Sequence, residues 1–129
     1  MSDAARALRL VPKDPAARWT YACALDEIAP ATAVCALVRG AQVALVRVGD
    51  EVFGLDNFDP FSQAFVLSRG IVGDRQGVPK IASPVYKQSF ALRTGQCLDD
   101  PAVRVGVWEV RVHQGRVEVG ARQPPEATP

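Results

Sequence analysis

The chain has 129 residues, a length that suits one domain burying roughly two-thirds of the surface that its unfolded chain exposes. Its 15 basic and 14 acidic residues leave a net charge of +1 and form no basic run, so the electrostatic footprint of nucleic-acid binding is absent. No apolar run approaches the roughly 18 residues of a membrane-spanning helix, and the N-terminus lacks the apolar core of a signal peptide, so we expect a cytoplasmic protein without membrane contact.

Both ends of the chain have compositions that argue against packing into a core. Residues 1–17 are rich in Ala, Arg and Pro and predict a flexible N-terminal arm. Residues 121–129 include Pro124 and Pro125 and predict a disordered C-terminal tail. We therefore expect one folded domain over residues 18–120.

The first half of this domain consists of short apolar runs separated by turn signals. Trp19–Ala24 alternates well enough for a first strand, and residues 26–30 predict a single helical turn ended by Pro30. Gly49-Asp50 has the composition of a two-residue hairpin turn. The other strands predicted here are residues 34–38, 42–48 and 51–55, with a further turn at Arg39-Gly40.

The last part of the domain is predicted to be a hairpin. Trp108, Val110 and Val112 alternate with polar residues, so a period of two places these three side chains inward. Gln114-Gly115 predicts a turn before a last strand over residues 116–119. Many short strands with Gly and Pro between them indicate an all-β sandwich or barrel.

Between these halves the sequence is punctuated by turn residues. Asp74–Gly77 predicts a hairpin tip. Arg69-Gly70 and Gly73-Asp74 are expected to be places where glycine supplies a positive φ. Asp99-Asp100 is a paired carboxylate, but it precedes Pro101 and predicts a capped turn rather than acid–base catalysis.

Two loop segments match the spacing of an iron–sulfur pattern without its ligands. Rieske proteins bind a two-iron cluster through Cys-x-His in one loop and Cys-x-x-His in a later loop. The residues found at these four positions are Asp59, Phe61, Ser83 and Tyr86, and Pro60 and Pro84 fall where Rieske loops carry prolines.

Four longer segments extend this resemblance to one family, the small subunits of assimilatory NAD(P)H-dependent nitrite reductase. The chain resembles that family from about Trp19 to Val119. The resemblance implies a Rieske-like antiparallel β-sandwich with an inserted subdomain that bears the loops. The segments that carry it are Asp56–Phe61, Val66–Asp74, Ser83–Gln88 and Leu98–Val103.

The four residues at the ligand positions predict that no cluster is bound. Phe61 has no lone pair to donate, and the Ser83 and Tyr86 hydroxyls would have to ionise. The only histidine, His113, and the three cysteines lie outside both loops, and the cysteines are expected to be free thiols. We expect a structural role instead, with Phe61 and Tyr86 filling the volume of the cluster while Asp59 and Ser83 form turns.

No catalytic, cofactor-binding or metal-binding residue is therefore predicted on this chain. The resemblance implies a non-catalytic subunit whose large-subunit partner carries FAD, sirohaem and a 4Fe-4S cluster. That partner would reduce nitrite to ammonium with NADH or NADPH, and electrons would pass entirely within it. The alternatives are a stand-alone interaction module of the same fold and an electron-carrying Rieske-type ferredoxin.

An interface with such a partner is expected at the loop tip, where exposed aromatic and basic residues are plausible hot spots. The alternative is that Phe58 belongs to the core and the charged residues are ordinary solvated side chains. The candidate interface residues are Phe58, Arg69, Arg75, Lys87 and Gln88.

Overall fold

The computed structural model describes residues 18–125, and regular structure there consists of strands and two short 3-10 turns. The 3-10 turns are Leu25–Glu27 and Leu67–Arg69. The strands are β1 (Thr20–Ala24), β2 (Ala33–Val38), β3 (Ala41–Val48), β4 (Glu51–Asp56), β5 (Phe58–Asp59), β6 (Ala64–Phe65), β7 (Ile71–Arg75), β8 (Val78–Ala82), β9 (Ser89–Ala91), β10 (Val107–His113) and β11 (Arg116–Gln123). The predicted all-β class is confirmed.

The main layer is a six-stranded antiparallel sheet in the order β1-β11-β10-β4-β3-β2. This sheet curls until its two edge strands, β1 and β2, lie close together, and Arg39, just after β2, bridges them. The Arg39 guanidinium donates to Thr20 Oγ1 at 2.6 Å and to the carbonyl oxygen of Gly120.

Two apolar clusters lie on opposite faces of β3. Val43 and Leu45 point into the curl, whereas Ala44 and Val46 point to the other face, and all four are fully buried. Each buried Val or Leu side chain contributes about 1.5–3 kcal/mol. The curl also encloses Ile28, Val38, Val52, Trp108, Val117 and Val119, and the outer cluster adds Phe53, Leu55, Leu67, Ile81, Phe90, Leu92, Cys97 and Val105.

An inserted lobe between β4 and β10 covers the outer cluster and bears both loops. It contains the two-stranded sheet β5-β6 and the three-stranded sheet β7-β8-β9. Buried Asn57 ties the lobe to the main sheet. Its Nδ2 donates to Gln42 Oε1 at 3.0 Å, and its Oδ1 accepts from the N–H of Ser68 at 2.7 Å. Among the described residues, no helix is long and apolar enough to cross a membrane.

The strand predictions are confirmed except at their ends. β11 continues to Gln123, so residues 121–123 belong to the sheet and not to the predicted tail. The reason is that Arg122 pairs with Trp108 across the β10–β11 ladder and binds Asp56. The early helical turn ends at Glu27, with Ile28 as its C-cap, rather than at Pro30. Residues 1–17 and 126–129, which contain the predicted arm and the end of the tail, lie outside the described residues.

The prediction for the lobe glycines is wrong at two positions. Gly70 has a φ of −77°, and Gly73 has no positive φ either. Gly70 is required for close approach, since a Cβ there would lie 2.2 Å from the carbonyl oxygen of Ala82. Positive φ is supplied instead by Gly77, at +85°, in the predicted Asp74–Gly77 hairpin tip.

Candidate functional site

The first loop of the Rieske-like pattern is organised by Asp59 at the end of β5. Its carbonyl oxygen accepts from the N–H of Gln63 at 2.7 Å. Its Oδ1 accepts from the N–H of Phe61 at 2.9 Å, and its Oδ2 accepts from Ser62 Oγ at 2.8 Å. Asp59 is thus the turn-forming carboxylate that the sequence predicted.

The second loop, Ser83–Gln88, is closed by its own backbone. The N–H of Ser83 donates to the Gln88 carbonyl at 2.8 Å, and the N–H of Lys87 donates to the Ser83 carbonyl at 3.1 Å. Ser83 Oγ accepts from the N–H of Val85 at 3.3 Å. Lys87 has a φ of 68°, in the left-handed region that non-glycine residues rarely adopt. The loop is therefore tightly folded.

The two loops are joined by a buried side-chain hydrogen bond. Ser83 Oγ donates to Asp59 Oδ2 at 2.6 Å, and both residues are 0% exposed. Burial by itself would raise the pKa of Asp59, but hydrogen bonds from Ser83, Ser62 and the N–H of Phe61 outweigh it and lower the pKa. The carboxyl group is therefore a charged acceptor, which strengthens the bond.

The sequence patterns do not reveal this pair, because turn chemistry explains each of the two residues separately. Asp59 and Ser83 occupy the two cysteine positions of the Rieske pattern. Side chains at those positions must point at one centre if the scaffold is retained. That convergence was the available signal for a direct contact between them.

The predicted aromatic plug is only half correct. Phe61 is half-buried and packs against the outer cluster, with its ring centroid 6.1 Å from that of Phe90. Tyr86 is 60% exposed and fills no core volume. The tight turn that ends at left-handed Lys87 leaves Tyr86 facing solvent, while the polar contacts of Asp59 and Ser83 join the loops.

The side chains at the four ligand positions do not fit a 2Fe-2S cluster. Such a cluster needs four thiolate or imidazole ligands. Here the buried Asp59 and Ser83 are bonded to each other, Phe61 has no donor atom and Tyr86 faces solvent. Within residues 18–125, no group of three or more His, Cys, Asp and Glu side chains is arranged to hold a metal ion.

Some of the predicted interface residues are engaged within the lobe. Phe58 is half-buried and packs edge-to-face against Phe65, with the ring centroids 5.1 Å apart. Arg75 donates to Asp99 Oδ1 at 3.0 Å and to Ser89 Oγ at 3.3 Å.

The other interface candidates lie in or near the second loop. Gln88 is half-buried, and its Oε1 accepts no hydrogen bond from the described residues. Arg69 and Lys87 are exposed, and Lys87 Nζ lies 3.4 Å from the Pro84 carbonyl oxygen. Three large apolar or aromatic side chains near this loop are exposed and were not predicted to be. Strand and loop patterns alone do not show which apolar side chains remain uncovered. They are Ile71, Val85 and Tyr86, with exposures of 66%, 45% and 60%.

The paired carboxylates Asp99 and Asp100 have structural partners, as predicted. Asp99 Oδ2 accepts from the N–H of Ser89 at 2.8 Å, and Asp100 Oδ1 accepts from the N–H of Ala102 at 3.1 Å. A backbone hydrogen bond from Ser89 and a side-chain bond from Arg75 lower the pKa of Asp99. A depressed pKa is the opposite of what a general acid at neutral pH requires.

Comparison with known proteins agrees with the fold and with the loop pattern. Residues 18–120 match the family described as the Rieske-like 2Fe-2S domain. The small subunit of nitrite reductase (NADH) from Salmonella typhimurium is 43% identical over 104 residues, which cover 79% of this chain and 96% of that protein. The solved structure of an NADH-dependent nitrite reductase small subunit from Mycobacterium tuberculosis has a TM-score of 0.76 and 49% identity, covering 84% of this chain and 96% of that one.

A third relative is much longer. The nitrite reductase NAD(P)H large subunit of Klebsiella oxytoca is 43% identical over 112 residues, which cover 87% of this chain but only 12% of that protein. The chain therefore spans about one-eighth of this relative and nearly all of the Salmonella small subunit. This chain belongs to the Rieske-like domain family and, within it, to the small subunits of NADH nitrite reductase.

Proposed function

We propose that the chain is the non-catalytic small subunit of an assimilatory nitrite reductase and acts by binding the large subunit. In this proposal the large subunit carries FAD, sirohaem and a 4Fe-4S cluster and reduces nitrite to ammonium with NADH or NADPH. The observation that carries it is the 43% identity with a nitrite reductase small subunit over 96% of that relative's length. We place the complex in the cytoplasm, where free thiols such as Cys23, Cys35 and Cys97 are stable.

The Klebsiella oxytoca relative supports a large subunit as the partner. A segment related to this whole domain is part of that longer large-subunit chain. When two modules that bind each other are joined in one chain, each has a high effective concentration near the other. If this domain and the large subunit work in contact, we expect the domain to occur both as a separate chain and as part of the longer one.

The side chains at the four ligand positions of the loops support a role in binding a partner rather than in carrying electrons. A Rieske-type ferredoxin passes electrons through a cluster held by four cysteine and histidine ligands. This chain has Asp59, Phe61, Ser83 and Tyr86 at those positions, and they do not form such a site. We therefore propose that the subunit binds no cluster.

We further propose that the large subunit docks on the second loop. We define the docking tip as Val85, Tyr86 and Lys87, which are all exposed. Its composition, a large aromatic beside an apolar and a cationic residue, is that of an interface hot spot. Ile71, the first residue of β7, and Arg69, the last residue of the preceding 3-10 turn, extend the candidate surface with one apolar and one basic residue.

Reconstitution of the two subunits tests the function. The large subunit is purified alone, and nitrite-dependent oxidation of NADH and of NADPH is measured with and without this chain. The proposal predicts a complex of the two chains and a higher or longer-lived nitrite turnover than that of the large subunit alone. Absence of a complex together with full and stable turnover by the large subunit would contradict it.

Substitutions test the docking tip separately from the function. Tyr86→Ala is expected to weaken the complex by about 10-fold or more, as truncation of a hot-spot aromatic does. Lys87→Glu reverses a charge in the docking tip, and its weakening of the complex is expected to be larger at low salt than at high salt. Leu37→Ala is the matched control, because Leu37 is an apolar residue on β2, outside both loops, and is 70% exposed. Equal affinities for Tyr86→Ala and Leu37→Ala would place the interface elsewhere.

A further inference from the structure

The buried contact between Asp59 and Ser83 lies between the two loops, at the positions where a Rieske protein has cysteines. In such a protein the metal cluster links the loops covalently. Here Ser83 Oγ and Asp59 Oδ2 make the link at 2.6 Å. We refer to these two side chains as the loop clasp.

We propose that the loop clasp replaces the cluster as the link between the loops and holds the docking tip in its binding conformation. The first part concerns this chain alone. The second part rests on the proposed function, since it requires the large subunit to bind at Val85, Tyr86 and Lys87.

The hydrogen bonds of the clasp lead from the lobe directly into the docking tip. On one side, Asp59 is fixed by the N–H of Phe61 at 2.9 Å and by Ser62 Oγ at 2.8 Å. On the other side, Ser83 Oγ accepts from the N–H of Val85 at 3.3 Å. A single hydroxyl thus connects a buried carboxylate to the backbone of an exposed interface residue.

The backbone conformation of the tip also depends on Ser83. Lys87 has a φ of 68°, which is unfavourable for a residue with a Cβ and persists only where the surroundings impose it. The Lys87 N–H donates to the Ser83 carbonyl, so the position of Ser83 determines whether this turn can form. A tip fixed before binding loses less conformational freedom in the complex, which increases affinity.

Hydrogen exchange of the isolated full-length chain tests the first part. Ser83→Ala removes only the hydroxyl, and Asp59→Asn removes the charge. Both are expected to accelerate exchange of the Lys87 amide by about 10-fold or more, because a charge-assisted buried bond is lost. The Val85 amide is informative only in Asp59→Asn, since Ser83→Ala also removes the acceptor of its N–H. Amides of the β10–β11 hairpin serve as the internal reference and are expected to keep their protection.

Asp74→Asn is the matched control for this measurement. Asp74 is a carboxylate of the same lobe whose Oδ2 accepts from the N–H of Gly77 at 3.1 Å in the β7–β8 turn. This variant is expected to leave the exchange of Val85 and Lys87 unchanged. If Asp59→Asn fails to fold, Ser83→Ala decides the question alone. Unchanged loop exchange in Ser83→Ala, or equal acceleration in Asp74→Asn, would overturn the loop clasp.

A double-mutant cycle with the large subunit tests the second part. Ser83→Ala is expected to increase the Kd of the complex in the wild-type background. In a Tyr86→Ala background the fold increase in Kd is expected to be less than about half as large. Non-additivity is expected because the clasp acts through the tip, whereas a general loss of stability would be additive. Additive losses would refute the coupling. If the wild-type chain does not bind the large subunit while the loop exchange still responds, the proposed function fails and the clasp stands.

Discussion

The Asp56→Asn substitution tests how the end of β4 is joined to β10 and β11 within the main sheet. Asp56, the last residue of β4, accepts four hydrogen bonds from three residues: Gly106 just before β10, Trp108 on β10 and Arg122 on β11. Oδ1 accepts from Trp108 Nε1 at 3.0 Å and Arg122 Nε at 2.9 Å, while Oδ2 accepts from Arg122 Nη2 at 2.6 Å and the N–H of Gly106 at 3.1 Å. Asparagine presents an N–H₂ group to the two donors at Oδ2 or, if its amide is flipped, to those at Oδ1.

The expected cost follows from the number and burial of these bonds. A hydrogen bond to a charged group contributes about 1.5–3 kcal/mol. Two are lost, but Arg122 is 39% exposed at its side chain and regains water as a partner. We therefore expect the free energy of unfolding to fall by about 2–3 kcal/mol, measured by urea titration followed through tryptophan fluorescence.

An exposed ion pair provides the control for Asp56→Asn. The Asp50 side chain is 94% exposed and lies 3.5 Å from Arg47 Nη2, so Asp50→Asn makes the same chemical change in solvent. We expect it to cost less than about 0.5 kcal/mol, as exposed pairs do. Equal small effects of the two substitutions would refute the conclusion that Asp56 joins β4 to β10 and β11.

Three further predictions concern pH, glycine contacts and thiols. Burial alone would raise the pKa of Asp56, but hydrogen bonds from Arg122 and Trp108, the charge of Arg122 and the Gly106 N–H lower it below 3.8. The stabilisation by Asp56 is therefore complete above about pH 4 and is lost as pH falls through the lower folded-state pKa, so the stability gap between wild type and Asp56→Asn should close in acid. Gly70→Ala should destabilise the chain by about 1–3 kcal/mol in the same urea titration, because its Cβ would lie 2.2 Å from a carbonyl oxygen, whereas Gly73→Ala meets nothing within 4 Å and should be nearly neutral. Thiol labelling of the native chain should modify exposed Cys35 and spare buried Cys97 until urea unfolds it; equal rates would contradict the packing of the outer cluster.

The sequence predicted the main sheet well because its strands have strong local signals. The period of two in Trp108, Val110 and Val112 correctly placed these side chains toward the curl. The predicted end of β11 was too early, because Arg122 is held in the strand by Asp56, which is 66 residues away in the chain. Such long-range contacts leave no periodic pattern in the sequence.

The candidate site was predicted in outline but not in its contacts. The spacing of the loops identified the Rieske-like scaffold and the positions Asp59 and Ser83. It did not reveal that these two side chains bind each other, since turn chemistry explains each one separately. Tyr86 was expected to fill the volume of the cluster because it is a large aromatic at a ligand position, whereas the backbone of a tight loop turns it outward.

We propose that this subunit acts by contact and binds no redox centre of its own. The most direct test is to purify the full chain anaerobically, incubate it with iron and sulfide under reducing conditions, and determine both elements after desalting. The claim predicts neither iron nor acid-labile sulfide above background, and no visible absorption from a cluster. About two irons and two sulfides retained per chain, the content of a Rieske centre, would contradict it.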